Sequence, residues 1–193
     1  MEDKMGNQHT SNLLSRRGLL KASLTGLAFL GTRLFLPDLA FSYSLPDGRI
    51  RFYNTHTDER LTVQYRSRSG RYDREALRDI NYLLRCNHSN IVHRVDIRLL
   101  EFLNYIEKTV GRGKEVHIYS GYRSPSYNQK LVLFEQGAVL NSLHTKGQAI
   151  DFSIPGVQLS SIRQAALKMQ LGGVGYYRQR GFIHIDCGRP RFW

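Results

Sequence analysis

Ser142-Leu143-His144 runs through Thr-Lys-Gly-Gln-Ala-Ile to Asp151, seven positions on, and Phe182-Ile183-His184-Ile185-Asp186 carries a second histidine. Two imidazoles and a carboxylate make a three-donor set for zinc with a fourth coordination position left open. Zinc so held lowers the pKa of water to about 7 and makes hydroxide available at neutral pH. Residue types alone leave other readings open. Asp151 is the centre of Ala149-Ile150-Asp151-Phe152-Ser153, a run that reads as a strand. A buried carboxylate there is costly unless something satisfies its charge. A metal would do so, and so would a neighbouring arginine. A lone strand histidine such as His184 is more often a hydrogen-bonded structural residue than a ligand. Two polar strand centres and a loop histidine in one small domain are harder to dismiss.

The elements that must position these residues follow from periodicity. Asn141 to Gly147 reads as a polar loop entering the strand Ala149–Ser153, with Gly147 letting the chain turn so that His144 and Asp151 point to one place. Strand alternation puts Asp151 and Ser153 on one face, and Phe182, His184 and Asp186 on one face of a second strand that pairs with Val174–Tyr177 as a hairpin. Val116–Ser120 is a third short strand. Ser124-Pro125 starts a helix expected to reach about Gln136, where Gly137 stops it. Asp73 caps a helix to about Arg85, a further apolar helical face begins at Asp96, and Ser160 caps a helix to about Gln170. Arg49–Tyr53 and Leu61–Tyr65 alternate like a hairpin. The expected architecture is α+β: helices first, then a small, mostly antiparallel sheet with helices packed on one side and the zinc site at the sheet.

Residues 1–42 read as a targeting segment. Ser15-Arg16-Arg17-Gly18-Leu19-Leu20-Lys21 opens it, Leu24–Leu30 and Leu34-Phe35-Leu36 are apolar, and Ala40-Phe41-Ser42 offers a cleavage site. Arg33 interrupts the apolar run, so a spanning helix of about 20 residues is not expected, and none is expected in the mature chain. Residues 43–193 are then one domain of about 150 residues with a real core. The formal charge of +12 is carried by scattered arginines, which argues for general attraction to a polyanionic wall and against a specific nucleic-acid partner. Cys86 and Cys187 cannot form a disulfide framework, although one bond is permitted outside the cytoplasm. Cys187 is read as packing. A monomer is expected.

Ser-Gly-Tyr-Arg-Ser-Pro at 120–125, Ser-x-His-x-x-Gly-x-Ala-x-Asp at 142–151 and Phe-Ile-His-Ile-Asp-x-Gly at 182–188 resemble the M15-like zinc peptidases, a group that includes D-alanyl-D-alanine carboxypeptidases and murein endopeptidases. In particular the chain resembles the twin-arginine-exported murein endopeptidases of the MepK/YcbK type, over nearly all of its mature part. The likeness includes Asp79–Arg85 and the ending Gly188–Trp193. The resemblance implies that His144, Asp151 and His184 bind Zn2+ and that Arg123 holds substrate and steadies the developing oxyanion, a role suited to a guanidinium that aims two donors at one oxygen or carboxylate. It also implies a periplasmic enzyme acting on peptidoglycan stem peptides.

No general base carries over. Some relatives place a glutamate three residues before the last zinc histidine, where Gly181 stands here; others place a histidine two residues before it, where Phe182 stands. Asp186 is the nearest replacement, either as the base or as a partner that orients a ligand, and His117 is a further candidate. Ser142 either bonds near His144 or shapes the loop. Three functions compete: a zinc-dependent murein endopeptidase, a carboxypeptidase trimming a terminal D-amino acid, and a wall-binding module that keeps the fold without catalysis.

Overall fold

The computed structural model describes residues 46–193, so the expected targeting segment lies outside the described residues. Strands β1 (Arg49–Asn54), β2 (Arg60–Gln64), β3 (Glu115–Ser120), β4 (Ala149–Ser153), β5 (Gly173–Tyr177), β6 (Phe182–Asp186) and β7 (Arg191–Phe192) form a sheet in the order β2-β1-β3-β4-β6-β5-β7. Four of its six pairings are antiparallel; β1–β3 and β5–β7 are parallel. The sheet is therefore mostly antiparallel, as expected. It does not follow the helices in a separate block. The hairpin β1–β2 joins it directly, because Ile50 and Phe52 continue the apolar row made by Val116, Ile118, Ile150, Phe152, Ile183 and Ile185.

That row faces helices α1 (Arg74–Leu83), α2 (Ile97–Ile106) and α4 (Leu159–Met169). The Asp73 side chain caps α1 by accepting from the backbone N–H groups of Glu75 and Ala76, and Ala76, Ile80 and Leu83 turn inward one helical period apart. Asp96 caps α2 through Arg98 N. Asn104, fully buried on α2, satisfies Gly48 N and Arg49 O, and Tyr65 donates to Leu100 O, so the helix is pinned to the first hairpin by polar bonds inside an apolar layer. Past Ile106 the chain widens into a π-helical turn, Glu107–Gly111, that the apolar pattern did not announce.

Two helix limits differ from the periodicity. α3 (Pro125–Leu133) starts at the Ser124 cap but ends short of Gln136. Glu135 takes the left-handed conformation (φ 51°), Gln136 N bonds Leu131 O and Glu135 N bonds Val132 O, a helix stop that does not wait for Gly137. α4 begins straight after Gln158, which makes no side-chain capping bond, and already includes Ser160. β7 is two residues long, too short to show a period. Among the described residues no helix is long and apolar enough to cross a membrane. Cys86 and Cys187 are both free thiols, and Cys187 packs against the core, where burial pushes its pKa up to about 12.

Candidate active site

The face of the sheet opposite the helices is polar, and its centre is set by register. Asp151 on β4 lies directly across from His184 on β6, and Ala149 lies across from Asp186. On the other side β3 brings Ser120 beside Asp151 after an irregularity between Ile118 and Ser120. Such a bulge re-aims the strand end, here towards Gly121–Arg123. His144 arrives on a 3-10 turn, Leu143–Lys146, ended by Gly147 in the left-handed region (φ 64°). An added Cβ at Gly147 would stand 2.4 Å from Arg94 O, so both backbone conformation and space require glycine there. Ser142 shapes this turn: its carbonyl accepts from Thr145 N (3.1 Å) and Thr145 Oγ1 (2.7 Å).

Three donor atoms converge. His184 Nδ1 is 2.7 Å from Asp151 Oδ1 and 3.2 Å from His144 Nε2, and His144 Nε2 is 3.3 Å from Asp151 Oδ1. The remaining ring nitrogens are held elsewhere: His144 Nδ1 donates to Gly121 O at 2.8 Å, and His184 Nε2 faces Asp186 Oδ2 at 3.1 Å. With protons on those outer nitrogens, the inner nitrogens both present lone pairs to each other and to a carboxylate. Such a cluster is repulsive unless a cation occupies its centre. The spacing also fits, since donors at zinc's bond lengths in a tetrahedron stand about 3.3 Å apart. The residues present therefore fit a metal ion, and the group His144, Asp151 and His184 is one that could hold it.

Without a metal, His184 is the group that takes up a proton, since its ring lies between two carboxylates, and a bound cation would displace that proton from Nδ1. Burial would raise the Asp151 pKa, but the two imidazoles facing it outweigh burial and hold its carboxyl well below the usual carboxylate range. Burial keeps His144 neutral by lowering its pKa. Burial also acts to lower His184, but hydrogen bonds to Asp151 and Asp186 prevail and raise it. Asp151 uses its other oxygen for Arg123, whose Nη2 lies 3.1 Å from Oδ2, while Arg123 Nε donates to Ser120 Oγ at 3.0 Å. Arg123 and the candidate metal-binding group thus share Asp151, one on each carboxylate oxygen.

Asp186 lies on the far side of the His184 ring from Asp151, next to Nε2 rather than Nδ1. It is fully buried. Its Oδ1 accepts from Gly173 N, Gly188 N and Arg191 Nη1, and its Oδ2 from Arg191 Nη2 at 2.6 Å and His184 Nε2. It therefore stands behind the imidazole, across the ring from the converging donors, with its lone pairs taken. Burial acts to raise its pKa, but the bonds from His184, Arg191 and Gly188 hold it well below the usual range. His117 shares the polar face but pairs with Ser153, one alternation beyond Asp151, and its Nε2 lies 3.2 Å from Glu115 Oε2.

The converging donors lie in a cleft of about 500 Å³. Tyr127 and Leu131 of α3 and Ala138, Val139 and Asn141 of the following loop line it, as do Tyr119, Phe182 and Tyr177, whose rings stack in sequence at 5.8 and 4.8 Å between centroids. His56, Arg180, Arg191 and Trp193 also line it and were not singled out from sequence. His56 sits in the β1–β2 loop with Nε2 2.7 Å from Tyr119 O. Nothing in its sequence neighbourhood distinguishes it from an ordinary loop histidine.

A family model described as peptidoglycan L,D-endopeptidase MepK matches residues 44–193. The chain belongs to this family. The peptidoglycan L,D-endopeptidase MepK of Escherichia coli (strain K12) is 41% identical over 181 residues, covering 93% of this chain and 97% of that protein. The probable peptidoglycan L,D-endopeptidase MepK of Haemophilus influenzae is 37% identical over 173 residues, covering 89% and 92%. The solved structure of the Serratia marcescens L-Ala D-Glu endopeptidase ChiX overlaps 49% of this chain and 68% of its own at 16% identity, with a TM-score of 0.35. The family match takes in every residue named on the polar face and in the cleft, from His56 to Trp193.

Proposed function

We propose that the protein is a zinc-dependent peptidoglycan endopeptidase that hydrolyses amide bonds of cross-linked stem peptides. We propose further that residues 1–42 carry it to the periplasm by the twin-arginine route, leaving 43–193 as the peptidase domain. The observation that carries the enzymatic reading is the convergence of His144 Nε2, His184 Nδ1 and Asp151 Oδ1, each within 3.3 Å of the other two, in a cleft. Membership of a family named for peptidoglycan L,D-endopeptidases supports the substrate. The twin arginines Arg16-Arg17 followed by an apolar stretch support the export route.

When bound by His144, Asp151 and His184, zinc supplies a Lewis acid and a source of hydroxide at neutral pH. The chain's own residues do the rest. Gly121 O and Asp186 fix the two imidazole tautomers, each by holding the outer ring proton. Arg123, anchored at Nη2 and Nε, lines the cleft and can offer Nη1 to a carbonyl oxygen as negative charge develops there. The stacked rings of Tyr119, Phe182 and Tyr177 give the substrate an apolar wall and reduce the water around the reacting bond. Asp186 acts as a positioning residue, not as the base.

Mass spectrometry of muropeptides tests the function. Zinc-loaded protein incubated with intact sacculi should convert cross-linked muropeptides to uncross-linked ones, and a chelator should stop it. Release of a free D-amino acid from soluble pentapeptides, with cross-links intact, would indicate a carboxypeptidase instead. Binding to sacculi without any product would leave only a wall-binding module.

The Asp186 assignment makes a separate prediction. Asp186→Asn keeps the size and loses the charge that holds the His184 Nε2 proton. Zinc affinity should fall roughly ten- to a hundred-fold, the usual cost of losing such a partner. At saturating zinc most of the turnover should return. Turnover that stays near zero at full zinc occupancy would restore Asp186 as the proton acceptor.

A further inference from the structure

Asp186 is itself held by residues further along the chain, and the same stretch reaches the other side of His184. After Gly188 the chain returns to the sheet, where β7 pairs in parallel with β5: Gly173 opposes Arg191 and Val174 opposes Phe192. Trp193 N donates to Val174 O and Tyr176 N donates to Trp193 O, so the backbone is fixed as far as Trp193. Two side chains of this segment then turn to the polar face. Arg191 grips both oxygens of Asp186, Nη1 to Oδ1 at 3.0 Å and Nη2 to Oδ2 at 2.6 Å, the two-pronged geometry that orients a carboxylate most firmly. The Trp193 ring lies 5.4 Å from the His184 ring, and its Nε1 donates to Tyr177 OH at 2.9 Å. The Arg191 guanidinium in turn lies 4.9 Å from the Trp193 ring centre. The contacts close a loop: His184, Asp186, Arg191, Trp193 and back to His184.

The sheet makes room for this loop. Gly175 opposes His184 in register, and an added Cβ at Gly175 would come within 2.8 Å of the Trp193 ring. The indole therefore occupies the space that a side chain at position 175 would fill.

We propose that residues 188–193 form a clamp that fixes the His184 imidazole for metal binding, with Arg191 and Trp193 as positioning residues. The proposal rests on the zinc peptidase reading above and goes beyond it by assigning a role to a segment that supplies none of the three donors. Arg191 acts through Asp186: by locking the carboxylate it keeps the proton on His184 Nε2 and the lone pair on Nδ1. Trp193 acts on the ring directly, limiting its rotation about the side-chain bonds, so that less conformational freedom is lost when metal binds.

The test is zinc affinity, measured by competition with a chromophoric chelator on the purified chain, together with the emission of Trp193, the single tryptophan of the sequence. In the wild type, adding zinc should change the emission, because the indole touches a ligand ring. Arg191→Gln should bind zinc roughly ten- to a hundred-fold more weakly, and Arg191→Lys, which keeps the charge beside Asp186, should fall between it and the wild type. Gly175→Ala displaces the indole, and with it the Arg191–Trp193 contact, while leaving the two Arg191–Asp186 hydrogen bonds in place; it should weaken zinc binding and abolish the emission response. Thermal melts of the metal-free variants establish that the fold is kept, and Gly175→Ala carries the test if Arg191→Gln does not fold. Zinc affinity within twofold of wild type in a folded Arg191→Gln or Gly175→Ala protein overturns the clamp. A wild type that binds no zinc at all would instead remove the peptidase reading on which it rests.

Discussion

Replacing His184 by alanine should strip the protein of its zinc and end hydrolysis. The change removes one of three donors and does more besides. Asp151 Oδ1 loses its 2.7 Å neighbour and is left with His144 at 3.3 Å, while Oδ2 keeps Arg123. A bidentate arginine can still hold Asp186 from behind, so the sheet should survive, but nothing remains between Asp186 and Asp151 except space where a ring stood. Two donors on a rigid frame cannot close a tetrahedral site. Loss of an orienting partner alone costs about ten- to a hundred-fold in metal affinity, and loss of a ligand should exceed that. Metal content by mass spectrometry, on wild type and His184→Ala purified side by side, decides the matter. One equivalent in the wild type and far less in the variant is the expected result, while equal zinc in both would sink the assignment. A melt of the metal-free forms separates a lost site from a lost fold.

The part of this site that was legible in the sequence is the part that breaks a pattern. Asp151 and His184 stand out because β4 and β6 are strands whose other face is Ile150, Phe152, Ile183 and Ile185, all buried, so a polar residue at the centre demands a reason. Strand limits at Ala149–Ser153 and Phe182–Asp186 were readable for the same reason. Long-range pairing was not. That β1 inserts beside β3, and that β4 sits between β3 and β6, depends on contacts far apart in sequence which no local period reports. Hence the expected order, helices before sheet, missed the hairpin's place. The surroundings of Asp186 were hidden likewise. Its alternation with His184 was visible, but the five bonds that occupy it come from Gly173, Gly188, Arg191 and the imidazole, and only β7 brings Arg191 there. A two-residue strand has no period to read. Where the sequence marks the proposed ligands by contrast with an apolar surround, it leaves unmarked the residues that contact them from behind, because those make ordinary polar contacts in ordinary loops.

Arg123→Lys should keep the zinc and the fold and lose most of the rate. In the resting site Arg123 is tied at two points, Nη2 to Asp151 Oδ2 and Nε to Ser120 Oγ. Those ties fix the plane of the guanidinium, and the side chain lines the cleft with Nη1 left for a reacting carbonyl oxygen. A lysine ammonium can reach Asp151 and keep its charge compensated. It cannot at the same time hold Ser120 and present a donor of fixed direction to the oxyanion, because its three protons lie on one flexible point charge. The two roles therefore separate in one variant. If Arg123 served only to neutralise Asp151, lysine would restore nearly full turnover. If it stabilises developing charge, the rate should fall about a hundred- to a thousand-fold, as loss of one oxyanion donor does elsewhere. The loss should appear in kcat and not chiefly in KM, since the interaction strengthens in the transition state. Zinc content and the metal-free melting temperature should stay near wild type. Turnover close to wild type in a folded, zinc-loaded Arg123→Lys protein would reduce Arg123 to the counter-charge of a metal ligand, and the donor to the oxyanion would then have to be sought among the other groups lining the cleft, with Arg180 and His56 the first to replace.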